Sequence, residues 1–66
     1  MQVTLNGERR TIPDGITVDT LLKQLGLVPE ATVVERNENI LERSAYRDTM
    51  LAEGDTLELV RFVGGG

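Results

Sequence analysis

The sequence predicts an α+β domain in which one helix packs against one face of a mixed β-sheet. Apolar and polar residues alternate with a period of two at both ends of the chain, as in strands that are buried on one face. Between these ends, an apolar stripe has the spacing of a helix. Turn signals separate the segments, so each segment is predicted to be a distinct element.

The amino-terminal segment predicts a β-hairpin. Apolar side chains occupy every second position of residues 1–5, and Asn6-Gly7 follows directly. This dipeptide accepts the positive φ values of a tight hairpin turn. Residues 8–13 are therefore expected to return as an antiparallel second strand, with Ile12 turned inward.

Residues 18–25 are predicted to form the helix. Thr17 is the expected N-cap, Asp19 suits the positive end of the helix dipole, and Gly26 stands where a left-handed C-terminal cap is expected. The stripe that faces the core consists of Val18, Leu21, Leu22 and Leu25.

The second half of the chain predicts three more strands. Residues 32–36 are a β-branched run, which ends at the turn-prone Asn37-Glu38-Asn39 and is followed by a short return strand at Ile40-Leu41. Glu53-Gly54-Asp55 is interpreted as an ordinary turn into the last strand, residues 56–63.

The segment from residue 44 to residue 51 has a weaker pattern. It is expected to hold one helical turn begun by Ser44, with Tyr46 and Met50 sealing the edge of the core.

This order of elements matches the β-grasp, or ubiquitin-like, arrangement, in which the first and last strands lie side by side in parallel. We therefore expect a mixed sheet of four to five strands with one main helix on one face. The domain is expected to span residues 1–63, and residues 64–66 to form a flexible tail.

Length and composition argue against several functions. A chain of 66 residues has room for one modest core, and without Cys or His it lacks the usual nucleophile, general base and soft metal ligands. An enzyme or a metal site is therefore not expected. The absence of Cys fits a reducing cytosol, and we expect a cytoplasmic chain that is a monomer when free.

Charge and hydropathy argue against nucleic acid and membrane partners. The net charge of -4 repels phosphate backbones and anionic lipid. No apolar run approaches the roughly 20 residues of a membrane span, and the chain starts in a strand pattern without a leader-like segment. We expect it to be soluble and unprocessed at its start.

Candidate functional residues cluster at the carboxyl end. If Leu57 and Leu59 face the core, then Glu58, Val60 and Phe62 project from the opposite face as a docking surface for a partner. The glycine tail, which consists of Gly64, Gly65 and Gly66, has no side chains and reaches about 10 Å beyond the strand. It is suited to carry the terminal carboxylate into another protein's active site.

Six segments of the chain carry a resemblance to a known family. They are residues 1–5, Val18-Asp19-x-Leu21-Leu22, Val33-Val34-Glu35-Arg36-Asn37, Arg43-x-x-Tyr46, Gly54-Asp55 and Phe62-Val63-Gly64-Gly65-Gly66. Together they resemble the ThiS family of sulfur carriers in thiamine biosynthesis. The resemblance covers essentially the whole chain, and its most specific parts are the compact length, the Val-Glu-Arg-Asn stretch and the terminal glycines.

The resemblance implies a carrier and not an enzyme. A ThiF-like adenylating enzyme would join the Gly66 carboxylate to AMP from ATP, and sulfur from a persulfide donor would then replace AMP. The resulting thiocarboxylate would supply sulfur to a ThiG-like thiazole synthase. Gly66 matches the modified residue of the family, Gly64 and Gly65 match its tail, and no bound cofactor is implied.

Other residues are interpreted as structural. Glu35-Arg36 is expected to be a solvated turn, Tyr46 to pack at the core edge and Arg43 to stay solvated. Whether Arg61, on the leucine face, reaches solvent or an acidic partner group is left open by the sequence.

Three alternative functions remain compatible with the sequence. The first is a sulfur carrier of another pathway, such as the small subunit of molybdopterin synthase, which the chain resembles in its terminal glycines. A ubiquitin-like modifier would instead join Gly66 to lysines of other proteins. An interaction domain with an inert tail is the third possibility.

Overall fold

The structure is a computed structural model that describes residues 1–61. In this part of the chain the elements are β1 (Gln2–Leu5), β2 (Glu8–Thr11), α1 (Val18–Gln24), β3 (Thr32–Arg36), β4 (Asn39–Leu41) and β5 (Thr56–Arg61). Short 3₁₀ turns occupy Pro29–Ala31 and Arg43–Ala45. The predicted order of elements is therefore confirmed, while the last two residues of the predicted final strand lie outside the described residues.

The five strands form one mixed sheet in the order β2-β1-β5-β3-β4. β1 and β5 are parallel neighbours, and the other three pairs are antiparallel. The first and last strands thus lie side by side, and the fold class is the predicted one.

Two hairpin turns have the same backbone geometry. Asn6 and Gly7 have φ values of 48° and 84°, and Asn37 and Glu38 have φ values of 50° and 73°. Positive φ at both central residues matches the right-handed twist of the flanking strands. The first turn has the favoured Asn-Gly pair, whereas the second places a glutamate in a conformation that L-residues rarely adopt.

Helix α1 has the predicted N-terminal cap. The Thr17 hydroxyl accepts a hydrogen bond from the Thr20 N–H at 3.2 Å, and Lys23 pairs with Asp19 one turn earlier at 2.9 Å. The helix ends at Gln24, and Gly26 follows with φ of 77°. None of the helices within residues 1–61 is long and apolar enough to cross a membrane.

The core lies between α1 and one face of the sheet. Leu22, Val34 and Leu57 are fully buried there. Tyr46 is also buried, as predicted, and its hydroxyl donates to the Thr32 carbonyl at 2.7 Å.

The prediction that Met50 seals the core edge is wrong, because its side chain is 57% exposed. The backbone around Met50 runs antiparallel to the segment before α1: Val18 N–H donates to the Thr49 carbonyl, and Leu51 N–H donates to the Ile16 carbonyl. Strand-like alternation therefore turns Leu51 inward and Met50 outward. The helical turn is also one residue earlier than predicted, since Arg43 and not Ser44 begins it.

Candidate functional site

β5 is the described strand from which the chain continues into the predicted tail. It lies at the centre of the sheet, between β1 and β3. Phe62, Gly64, Gly65 and Gly66, which are four of the six predicted site residues, lie outside the described residues. The structure shows how the strand before them is held and which surfaces flank it.

A buried carboxylate fixes the start of β5. Asp55 accepts hydrogen bonds from the Ala52 N–H at 2.9 Å, from the Asn37 Nδ2 at 3.1 Å and from the Arg36 Nε at 3.0 Å. Burial alone raises its pKa, but these hydrogen bonds and the Arg36 charge hold the pKa of Asp55 below its ordinary value. The carboxylate therefore stays ionised and joins the turn before β5 to the end of β3 at Arg36 and Asn37.

This arrangement corrects two predictions. Gly54-Asp55 is more than an ordinary turn, and Arg36 is not a solvated turn residue, since its side chain is only 30% exposed and its guanidinium pairs with Asp55. One sequence feature indicates this contact: acidic Asp55 precedes β5, and the Arg36-Asn37 pair stands at the end of β3. This feature becomes informative only once β3 and β5 are known to pair in that register.

Two hairpin asparagines hold β5 from its two sides. On the β3 side, the Asn37 Oδ1 accepts the Thr56 N–H at 2.9 Å, and the Asn37 N–H donates to the Thr56 carbonyl at 2.8 Å. On the β1 side, the Asn6 amide contacts both backbone polar groups of Leu59. β5 is therefore fastened near its start and again two residues before Arg61. Sequence reasoning assigned both asparagines to turns only.

The outer face of β5 exposes the predicted docking side chains that lie within the described residues. Glu58 is exposed and Val60 is 58% exposed, whereas Leu57 is buried beneath α1 and Leu59 is half-buried. The predicted division of β5 into a core face and an outer face is thus confirmed. Val33 lies directly across from Val60 and widens the apolar area on this face.

Two carboxylates of like charge share the outer face. Glu35 of β3 and Glu58 of β5 are directly opposite in the antiparallel register. Among residues 1–61, neither of them forms an ion pair. Because like charges in this position destabilise a sheet, the domain carries a small energetic cost that a basic partner surface would remove.

Arg61 follows the leucines on the inner face, as predicted. Its side chain is exposed and lines a shallow groove with residues of β1, β2 and the segment after α1. Arg43 is exposed as predicted. Within residues 1–61, no group of three or more acidic side chains is placed to hold a metal ion. The described part of the chain is thus organised around the support of one strand and the surfaces beside its end.

Comparisons with known proteins place these features in a family. A sequence model described as the ThiS family matches residues 3–66. A Bacillus subtilis protein named sulfur carrier protein ThiS is 38% identical over 50 residues, which are 76% of each chain. The crystal structure of a thiamine biosynthesis protein (ThiS) from Geobacter metallireducens superposes with a TM-score of 0.85 at 36% identity and covers 100% of both chains.

A larger protein contains a region similar to this whole chain. A thiazole synthase of Magnetococcus marinus is 42% identical over all 66 residues. The chain spans 20% of the length of that thiazole synthase.

Proposed function

Because the chain belongs to the ThiS family, we propose that it is a sulfur carrier of thiamine biosynthesis whose working group is the Gly66 carboxylate. The observation that carries this proposal is the extent of the family match, which runs to residue 66 and so includes the glycine tail. The absence of Cys is consistent with it, since the sulfur would be carried on the chain terminus and not on a side chain.

The proposed chemistry begins with activation of the carboxylate. A free carboxylate is a poor acyl donor, because its leaving group would be an oxide. Attack of a Gly66 oxygen on the α-phosphorus of ATP releases pyrophosphate and gives an acyl-adenylate, from which AMP leaves readily. A ThiF-like adenylating enzyme is the proposed catalyst of this step.

Sulfur then replaces AMP. The terminal sulfur of a persulfide attacks the acyl carbon and AMP departs, which leaves an acyl disulfide at Gly66. A thiol reduces the sulfur–sulfur bond, and the product is the Gly66 thiocarboxylate. ATP and thiol reductants are available together in the cytoplasm, which is where we place the reaction.

Thiazole synthase is the proposed acceptor of the sulfur. This assignment is supported by the Magnetococcus marinus thiazole synthase, in which a region similar to this chain is part of the same polypeptide. The protein is in this view a co-substrate of two enzymes, and its own residues supply recognition and not catalysis.

The outer face of β5 is the proposed docking surface for the adenylating enzyme. Val60 and the adjacent Val33 offer apolar area. The Glu35 and Glu58 carboxylates, which form no ion pair within residues 1–61, favour basic groups on the partner. Phe62 would extend this surface toward the tail. The tail glycines Gly64 and Gly65 would then pass through a channel too narrow for side chains.

The decisive experiment is intact mass spectrometry of the chain after incubation with ATP, its adenylating enzyme and a persulfide donor. Replacement of one oxygen atom by sulfur is expected in the full chain. A variant that lacks Gly65 and Gly66 should remain unmodified, although its thermal unfolding should be unchanged. If an adenylating enzyme that releases pyrophosphate with this chain yields no sulfur-containing species, the carrier function is wrong.

A further inference from the structure

Within the described residues, the edge of β5 that faces β1 has no backbone partner at Arg61. β1 ends at Leu5, which is in register with Leu57. Within residues 1–61, Asn6 continues the pairing: its N–H donates to the Leu57 carbonyl, and its side chain reaches Leu59. Backbone groups of alternate residues point to the same side of a strand. The N–H and C=O of Arg61 therefore point to the β1 side, where no group of residues 1–61 pairs with them.

A groove runs beside this free edge on the helix side of the sheet. Leu25, Leu27 and Leu59 form its apolar part, and all three are half-buried. Glu8 and Arg10 of β2, a strand whose four residues are all exposed, form the far wall. A free strand edge next to an apolar groove is the setting in which proteins bind extended peptide segments by strand addition.

The charges of the groove indicate what kind of segment fits. Arg10 and Arg61 line it in a chain whose net charge is -4. Glu8 lies 3.7 Å from Arg10 and neutralises part of its charge, whereas no carboxylate of residues 1–61 forms an ion pair with Arg61. A segment with an acidic side chain near Arg61 and an apolar one on the leucines is therefore complementary.

We propose that this groove binds an extended segment of the thiazole synthase, which pairs with β5 through the backbone of Arg61. The inference depends on the proposed function, because that function supplies the partner. The segment would lie next to the residues that lead to Gly66 and would guide the tail into the enzyme. The outer face of β5 would remain available to the adenylating enzyme, so the two partners would recognise opposite faces of one strand.

A pair of substitutions isolates the backbone contact. Arg61→Ala removes the side chain and keeps the N–H, whereas Arg61→Pro removes both. Binding to the thiazole synthase of the same organism is measured by calorimetry with the unmodified full-length chain. We expect Arg61→Pro to bind about fivefold more weakly than Arg61→Ala, the effect of about one hydrogen bond.

Hydrogen exchange supplies a second readout that needs no substitution. The Arg61 amide should exchange quickly in the free chain and slowly in the complex, and the methyl signals of Leu25 and Leu27 should shift. Equal binding of the two Arg61 variants together with an unprotected Arg61 amide would rule out strand addition. Protection by the adenylating enzyme and not by the thiazole synthase would show that the assigned occupant is wrong.

The charge of the segment is tested separately. Arg61→Glu should weaken binding about tenfold, while Arg9→Glu, the same change on the exposed outer side of β2, should leave binding unchanged. Wild-type affinity of Arg61→Glu would contradict an acidic segment. All binding is measured on the free carboxylate form. Failure of the groove to bind the thiazole synthase is therefore distinguishable from failure of Gly66 to form a thiocarboxylate.

Discussion

The side-chain amide of Asn6 occupies the place of a strand residue beside Leu59. Its Oδ1 accepts the Leu59 N–H at 2.7 Å, and its Nδ2 donates to the Leu59 carbonyl at 3.3 Å. The φ value of 48° at Asn6 orients the amide toward β5 after the backbone of β1 has turned away. Residues that are 53 positions apart thus extend the parallel pairing of β1 and β5 by one step.

Asn6→Gly should destabilise the domain by about 1 to 2 kcal/mol, because two hydrogen bonds of roughly 1 kcal/mol each are lost. Because glycine accepts the positive φ, the loss of stability measures the missing side-chain hydrogen bonds and not backbone strain. Urea unfolding measures the free energy, and the Leu59 amide should exchange faster. Gln24→Ala removes an exposed amide elsewhere and should change stability by less than about 0.5 kcal/mol. Equal stability of Asn6→Gly and the wild type would show that the contact contributes nothing.

Glu38→Gly should stabilise the domain by about 0.5 to 1 kcal/mol, because glutamate at φ of 73° is strained and glycine is not. The first hairpin provides the matched reverse change. Gly7→Glu places the same residue at φ of 84° and should cost a similar free energy. Thermal unfolding of the two variants should shift in opposite directions. A lower midpoint for Glu38→Gly would mean that the Glu38 side chain has a stabilising contact that outweighs the strain.

Asp55 should make stability fall in acid. The pKa of Asp55 in the folded state lies below the ordinary value of 3.8. The stabilisation by the ionised carboxylate is therefore fully present above pH 3.8 and is lost as the pH falls through the folded-state pKa. Asp55→Asn should lower the free energy of unfolding by about 2 to 3 kcal/mol at neutral pH, because the charged hydrogen bonds with Arg36 and Ala52 are removed. The variant should also show a smaller decline between about pH 5 and pH 2.

Asp14→Asn is a suitable control for this pH profile, because Asp14 is exposed and pairs only with the terminal amine of Met1 among residues 1–61. Its urea unfolding at neutral pH should stay within about 1 kcal/mol of the wild type. An acid profile that is the same in Asp55→Asn and in the wild type would assign the acid sensitivity to other carboxylates.

Much of the fold was predictable because its signals are local. Asn6-Gly7 identified the first hairpin, and Thr17 and Gly26 marked the ends of α1 within one or two residues. The exposure of Glu58 and Val60 followed from alternation along β5 once the leucines were assigned to the core. Each of these inferences needs only residues that are close together in sequence.

The remaining features depend on contacts between distant segments. Met50 is exposed because residues 49–51 run beside residues 16–18, which no local pattern indicates. The contacts of Asp55 with Arg36 and of Asn6 with Leu59 likewise require the sheet order and its register. Local periodicity predicts which face a side chain occupies, but the partner across the sheet depends on the whole topology.

Glu58→Gln should stabilise the isolated domain and weaken its activation. Loss of one charge relieves the repulsion from Glu35 directly across the sheet, which is expected to add about 0.5 kcal/mol in urea unfolding. The same change removes an attraction for a basic partner surface, so the second-order rate of pyrophosphate release by the adenylating enzyme should fall roughly threefold at low salt. Asp48→Asn changes the net charge equally, in the exposed segment beside the start of α1, and should leave that rate within about 20%. If both variants slow the enzyme alike, the effect comes from net charge, and the outer face of β5 is not the docking surface.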